Sequence, residues 1–124
     1  MDEIALVLPT PAAPPNGSYE ANDRGSMGKQ LIAHYPNGYG ASVIQGPYSY
    51  GGDSGLYELA ILHESRRRVV EIGDDGMELC FRTPITNDVI GYLTAEEVVG
   101  HLHEIARLER NDLCTHKRNW EEDE

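Results

Sequence analysis

An α+β fold is predicted, with an antiparallel β-meander of four to five strands packed by one C-terminal α-helix, and three observations carry that reading. Two turn signals, Asn37-Gly38 and Asp74-Asp75-Gly76, each separate runs rich in alternating apolar residues. From Tyr57 to Leu62 the alternation recurs, Tyr57, Leu59 and Ile61 being out of phase with Glu58, Ala60 and Leu62. Thr94 with Glu97 forms a capping box ahead of a stripe of Val98, Leu102, Ile105 and Ala106, with Val99 beside it, which marks an amphipathic helix.

Taken in order, Ile4 to Leu8 is a short apolar run that reads as a strand at a sheet edge. Residues 9–29 hold four prolines and three glycines with almost no large apolar side chain, so they read as a flexible Pro-rich arm or linker. The core begins at Gln30. A two-residue type I′ turn at Asn37-Gly38 sets Ile32 opposite Val43, Leu31 opposite Ile44 and Tyr35 across from Gly40. The loop from Gly46 to Gly55 leads into the strand beginning at Tyr57. After Arg66, Arg67 and Arg68 a second hairpin pairs Ile72 with Leu79 and Val70 with Phe81. Thr83 to Leu93 reads as an ordered connection containing one helical turn, and the helix from Thr94 is expected to fray after Asn111. The division is therefore an N-terminal segment 1–29, a single α+β domain 30–111 and an acidic tail 112–124.

A chain of 124 residues can bury a core without metal or disulfide staples. Its net charge of −11 disfavours direct binding to nucleic acid or anionic lipid. The acid excess grows toward the C-terminus, which closes on Glu121, Glu122, Asp123 and Glu124. Two cysteines, Cys80 and Cys114, make no disulfide framework and are expected as reduced thiols. Asp2 and Glu3 stand where a signal peptide needs basic residues, so a cytoplasmic location and no membrane segment are expected.

Among candidate sites, Glu97 and His101 share a helix face at the spacing of a metal pair, but His103 points elsewhere and His34, His63 and His116 lack supporting spacing. A solvated face is the simpler reading, and no metal or cofactor is expected. Cys80 reads as a small buried residue rather than a nucleophile, because nothing places a base beside it. No serine elbow, phosphate loop or dinucleotide fingerprint occurs, so no enzyme activity is expected. The loop Gly46 to Gly55 is the leading surface: Tyr48 and Tyr50 are amphipathic contacts, Gly51, Gly52 and Gly55 offer backbone N–H groups, and Asp53 lies among them. Such a loop could grip a protein or a small anion, or fold its tyrosines back on the core. Glu96, Glu97, Glu104 and Asp112 form an acidic face able to imitate DNA phosphates, although Arg107 and Arg110 interrupt the array.

The strings NGYGASVI, SYGGDSGLYELAIL and ELCFRTPITNDVIGYL, followed by a helix beginning TAEE, resemble a group of small proteins encoded by tailed bacteriophages to which no activity is attached. The resemblance covers Tyr35 to Leu108. It departs from the group in the longer connection HESRRRVVEIGDD and in the arm before Gln30. The resemblance implies a phage source, and small phage proteins without catalytic motifs commonly act by binding and blocking a host or bacterial-defence protein, an anti-CRISPR or other anti-defence inhibitor being the concrete form. The acidic surface points to a basic partner. A DNA mimic, a nucleotide-signal sponge and a virion or assembly protein are the alternatives, and the oligomeric state is left open, a homodimer included.

Overall fold

Where apolar residues alternate this chain is extended, and where they recur at three and four it is helical. The computed structural model describes residues 3–64, 77–79, 83, 85, 86 and 88–109. Their elements are α1 (Glu3–Val7), β1 (Ser18–Asp23), β2 (Lys29–His34), β3 (Tyr39–Gln45), β4 (Tyr57–Glu64), β5 (Met77–Leu79), β6 (Ile90–Leu93) and α2 (Ala95–Ala106). The strands form an antiparallel meander in the order β1-β2-β3-β4-β5, with β6 also paired to β4. The fold is α+β. A strand has two edges, and β3 occupies one edge of β4 from Glu58 to His63. Strands β5 and β6 therefore share the other, β5 against Leu62–Glu64 and β6 against Tyr57 and Leu59. No helix among the described residues is long and apolar enough to cross a membrane.

One face of the sheet carries Leu31, Ala33, Val43, Ala41, Leu59 and Ile61, all at 0 % exposure, against Val98, Leu102 and Ile105 of α2. The opposite face mixes half-buried Gln30, Ile32, His34, Ser42 and Ile44. Which residues share the core face depends on the β2–β3 turn, and here the sequence reading is corrected. Leu31 pairs with Val43, Ile32 with Ser42 and His34 with Gly40, one residue away from the expected register. The loop has three residues, Pro36, Asn37 and Gly38. Tyr35 N–H donates to the Tyr39 carbonyl at 2.9 Å, Gly38 N–H to the Tyr35 carbonyl at 3.1 Å, and Gly38 has φ 88°. A two-residue turn would require Pro36 to donate a ladder hydrogen bond, and proline has no N–H.

The N-terminal segment differs more. Ile4 to Leu8 is not a strand: Ile4, Val7 and Leu8 recur at i, i+3 and i+4 and are buried together, while Leu6 is 54 % exposed. Tyr57 reaches this turn from β4, its hydroxyl donating to the Val7 carbonyl at 2.8 Å. The stretch expected to be a flexible arm supplies β1, paired with β2 from Ser18↔His34 to Asp23↔Lys29, so the sheet starts at Ser18 rather than Gln30. Its ordering comes from docking. The Tyr19 ring stands edge-on to Tyr35, centroids 6.0 Å apart, and its hydroxyl bonds the Pro15 carbonyl and the Tyr35 hydroxyl. Burial, reinforced by the Tyr19 contact, pushes the Tyr35 hydroxyl far above the ordinary tyrosine range, so both rings remain neutral hydrogen-bonding groups. A ring nitrogen of His103 on α2 lies 2.9 Å from the Ala13 carbonyl, tying the segment to the helix.

Helix α2 begins as its sequence dictates. Thr94 Oγ1 accepts the Glu97 N–H at 3.2 Å and the Glu97 carboxylate accepts the Thr94 N–H at 2.8 Å. Thr94→Ala is expected to lower stability by about 1 kcal/mol in a urea titration, with Glu97→Gln costing less because an amide oxygen still accepts; no change for Thr94→Ala would refute the capping role. The helix ends at Ala106 rather than beyond Asn111, because Asn37 of the hairpin loop caps it. The Asn37 side-chain N–H groups donate to the carbonyls of Ile105 and Leu108, both at 2.9 Å.

Within Thr83 to Leu93 no helical turn forms among the described residues; Thr83 Oγ1 accepts the N–H groups of Ile85 and Thr86, and the last four residues become β6. Leu79 pairs with Leu62, while its expected partner Ile72, the Val70–Phe81 pair, Arg66 to Arg68, Cys80, Cys114 and Asp112 lie outside the described residues.

Candidate functional site

The loop joining β3 to β4 is built on close backbone approaches. At Gly46 a Cβ would lie 2.0 Å from the Met27 carbonyl oxygen, and at Gly28, with φ 101°, 2.1 Å from that of Gln45. Only glycine permits this contact between the β1–β2 turn and the loop. Ser49 then closes the loop's first turn, its hydroxyl accepting the Gly46 N–H at 2.9 Å and donating to the Gly46 carbonyl at 3.0 Å. A single 3-10 turn, Gly52–Ser54, follows between Gly51 and Gly55, both left-handed.

This internal bonding decides what the loop offers. Gly52 N–H donates to the Ser49 carbonyl, Gly55 N–H to that of Gly52, and Leu56 N–H to that of Gly51. Two of the glycine N–H groups expected to hold an anion are therefore spent on the loop itself. The Tyr50 N–H is also engaged, by the Glu58 carboxylate of β4 at 2.8 Å, which places a negative charge where an anionic ligand would approach.

The tyrosines do not fold back on the core. Tyr48 is 81 % exposed and Tyr50 59 %, with Asp53 exposed and Gly51 and Gly52 half-buried between them. A third aromatic joins them that the sequence did not single out. Tyr92 of β6 is 66 % exposed and has φ 59°, the one positive value among the described non-glycine residues. Its N–H donates to the Tyr50 carbonyl at 3.2 Å. A Cβ at Gly91 would lie 2.4 Å from Tyr50 Cβ, so glycine there lets the two segments meet. Met27, 48 % exposed, stands on the turn packed against Gly46. The strand end, the loop and the β1–β2 turn thus gather Tyr48, Tyr50, Tyr92 and Met27 at one end of the sheet. The available signal was Gly91-Tyr92 just ahead of a capped helix, a glycine beside an aromatic with no apolar partner in register.

On α2, Glu96, Glu97 and Glu104 are exposed as the acidic-face reading requires, but two are already engaged. Glu97 completes the cap, and Glu104 lies 2.7 Å from His101 Nδ1. His101 therefore pairs with Glu104 rather than with Glu97, and among the described residues no group of three potential metal ligands gathers. Compared with family models, curated proteins and solved structures, the chain matches none.

Proposed function

We propose that this protein acts by binding a partner protein through Tyr48, Tyr50 and Tyr92, as a small inhibitor of a host or bacterial-defence protein in the bacterial cytoplasm, an anti-CRISPR protein being the concrete form. The carrying observation is the exposure of three tyrosines on a loop and strand fixed by backbone hydrogen bonds. Tyrosine supplies large contact area at low entropic cost, and a rigid presentation lowers that cost further. The net charge of −11 supports a basic partner, and the resemblance to tailed-phage proteins supports a target in the host.

The DNA-mimic reading rests on the exposed acids of α2 and is weakened by the engagement of Glu97 and Glu104. A nucleotide sponge is disfavoured by the spent N–H groups of Gly52 and Gly55. A virion or assembly role predicts self-association, which sedimentation at high concentration would report.

Tagged wild-type protein and the variant Tyr48→Ala, Tyr50→Ala, Tyr92→Ala serve as baits in bacterial lysate at low and high salt. Wild type is expected to retain one partner at stoichiometric yield. The variant should bind that partner at least about thirtyfold more weakly, the loss of roughly 2 kcal/mol that one aromatic anchor carries, with its circular dichroism unchanged. Equal retention by a folded variant would move the site elsewhere. Binding abolished by salt but insensitive to the tyrosines would favour the acidic mimic.

A further inference from the structure

The dipeptide Asn-Gly occurs twice, at Asn16-Gly17 and Asn37-Gly38, and the fold treats the two in opposite ways. Asparagine before glycine is prone to deamidation because the unbranched glycine lets its backbone nitrogen reach the asparagine side chain. That nitrogen bonds the carboxamide carbon, closing a succinimide as ammonia leaves; water then opens the ring to aspartate or isoaspartate. Asn16 and Gly17 sit exposed in a bend.

At Asn37 every group the reaction must move is held. The side-chain nitrogen, which would leave as ammonia, donates to the Ile105 and Leu108 carbonyls at 2.9 Å each. The side-chain oxygen accepts the Tyr39 N–H at 3.0 Å. The attacking nitrogen, that of Gly38, donates its proton to the Tyr35 carbonyl at 3.1 Å.

We infer that Asn37 is a modification site gated by the fold, inert while the hairpin loop grips the end of α2 and reactive once that grip opens. The product reverses the sign of the contact. A carboxylate has no N–H to donate, and it sets a negative charge against two carbonyls at the negative end of a helix. In the aspartate product an oxygen can still accept the Tyr39 N–H, so the turn survives while the helix clamp is lost; isoaspartate adds a methylene to the main chain and alters the turn as well. Because the conversion is irreversible, the time the grip spends open accumulates as hairpins that no longer hold α2.

Peptide mapping by mass spectrometry, on the full chain aged at mildly alkaline pH either folded or unfolded in urea, tests the gate. Asn16 reacts in both samples and shows that conditions are permissive. Asn37 is expected to react at least about tenfold more slowly when folded, the factor given by an opening free energy of about 1.4 kcal/mol. Conversion of Asn37 at the same rate in both samples would overturn the gate. Asn37→Asp, which keeps the acceptor and removes the donor, tests the reversal: amide exchange at Arg107 and Leu108 should accelerate about tenfold, as expected for two hydrogen bonds lost. Unchanged protection of those amides would overturn it.

Discussion

Leu102→Ala is expected to lower the unfolding free energy by about 2–5 kcal/mol, the range for removing a fully buried leucine where the surroundings relax only partly. Leu102 has 0 % exposure and lies in the stripe of α2 that seals the sheet, between Val98 and Ile105. A helix packing on one face of a sheet leaves the truncated site no second layer to collapse from. A urea titration would read the effect as a midpoint shift of about 1–2.5 M, taking a slope of about 2 kcal/mol per molar for a small protein. A loss within about 0.5 kcal/mol, the size of a surface substitution, would contradict this packing of α2 on the sheet.

Gly52→Ala is expected to damage the tyrosine surface without touching a tyrosine. A Cβ there would lie 1.9 Å from the Gly46 carbonyl oxygen and 2.5 Å from Ser49 Oγ, and the carbonyl cannot move without carrying the end of β3. The expected cost is about 1–3 kcal/mol, as for forced overpacking. Gly55→Ala is the informative control. Nothing lies within 4 Å of its Cβ, but φ is +77°, so its cost is backbone strain alone, about 1 kcal/mol. Gly52→Ala should therefore be the more destabilised of the two and should also lose the partner captured by wild type. Partner binding unimpaired in Gly52→Ala would mean that the loop's internal hydrogen bonds do not shape the surface.

Both substitutions probe features that differ in how far the sequence announces them. The Leu102 stripe and the Thr94 cap are legible because helix signals span three or four residues, and nothing distant alters them. The register of β2 and β3 has a local signal too, which the Asn-Gly pair masks: the missing N–H of Pro36 is incompatible with a two-residue turn and favours the three-residue loop that forms. Composition misjudges the arm because it measures what a segment can bury by itself. Residues 9–29 bury little alone, yet Tyr19 finds Tyr35, Ala13 finds His103, and the ladder of β1 is satisfied by a strand already present.

The site divides in the same way. Tyr48 and Tyr50 are visible as aromatics in a glycine-rich loop, but the choice between exposed and folded-back side chains needs the hydrogen bonds of Ser49 and Glu58. Tyr92 is invisible to local pattern because the pairing of β6 with β4 brings it to Tyr50 from 42 positions along the chain, and Asn37 reaches Ile105 across 68. Sequence alone determined the fold class, the capped helix with its apolar stripe and the alternating strands, all products of short-range periodicity. Tertiary structure decided the docking of the N-terminal segment, the shared edge of β4, the aromatic surface and the clamp on α2. Each of those joins groups far apart in sequence, and only the assembled sheet brings them together.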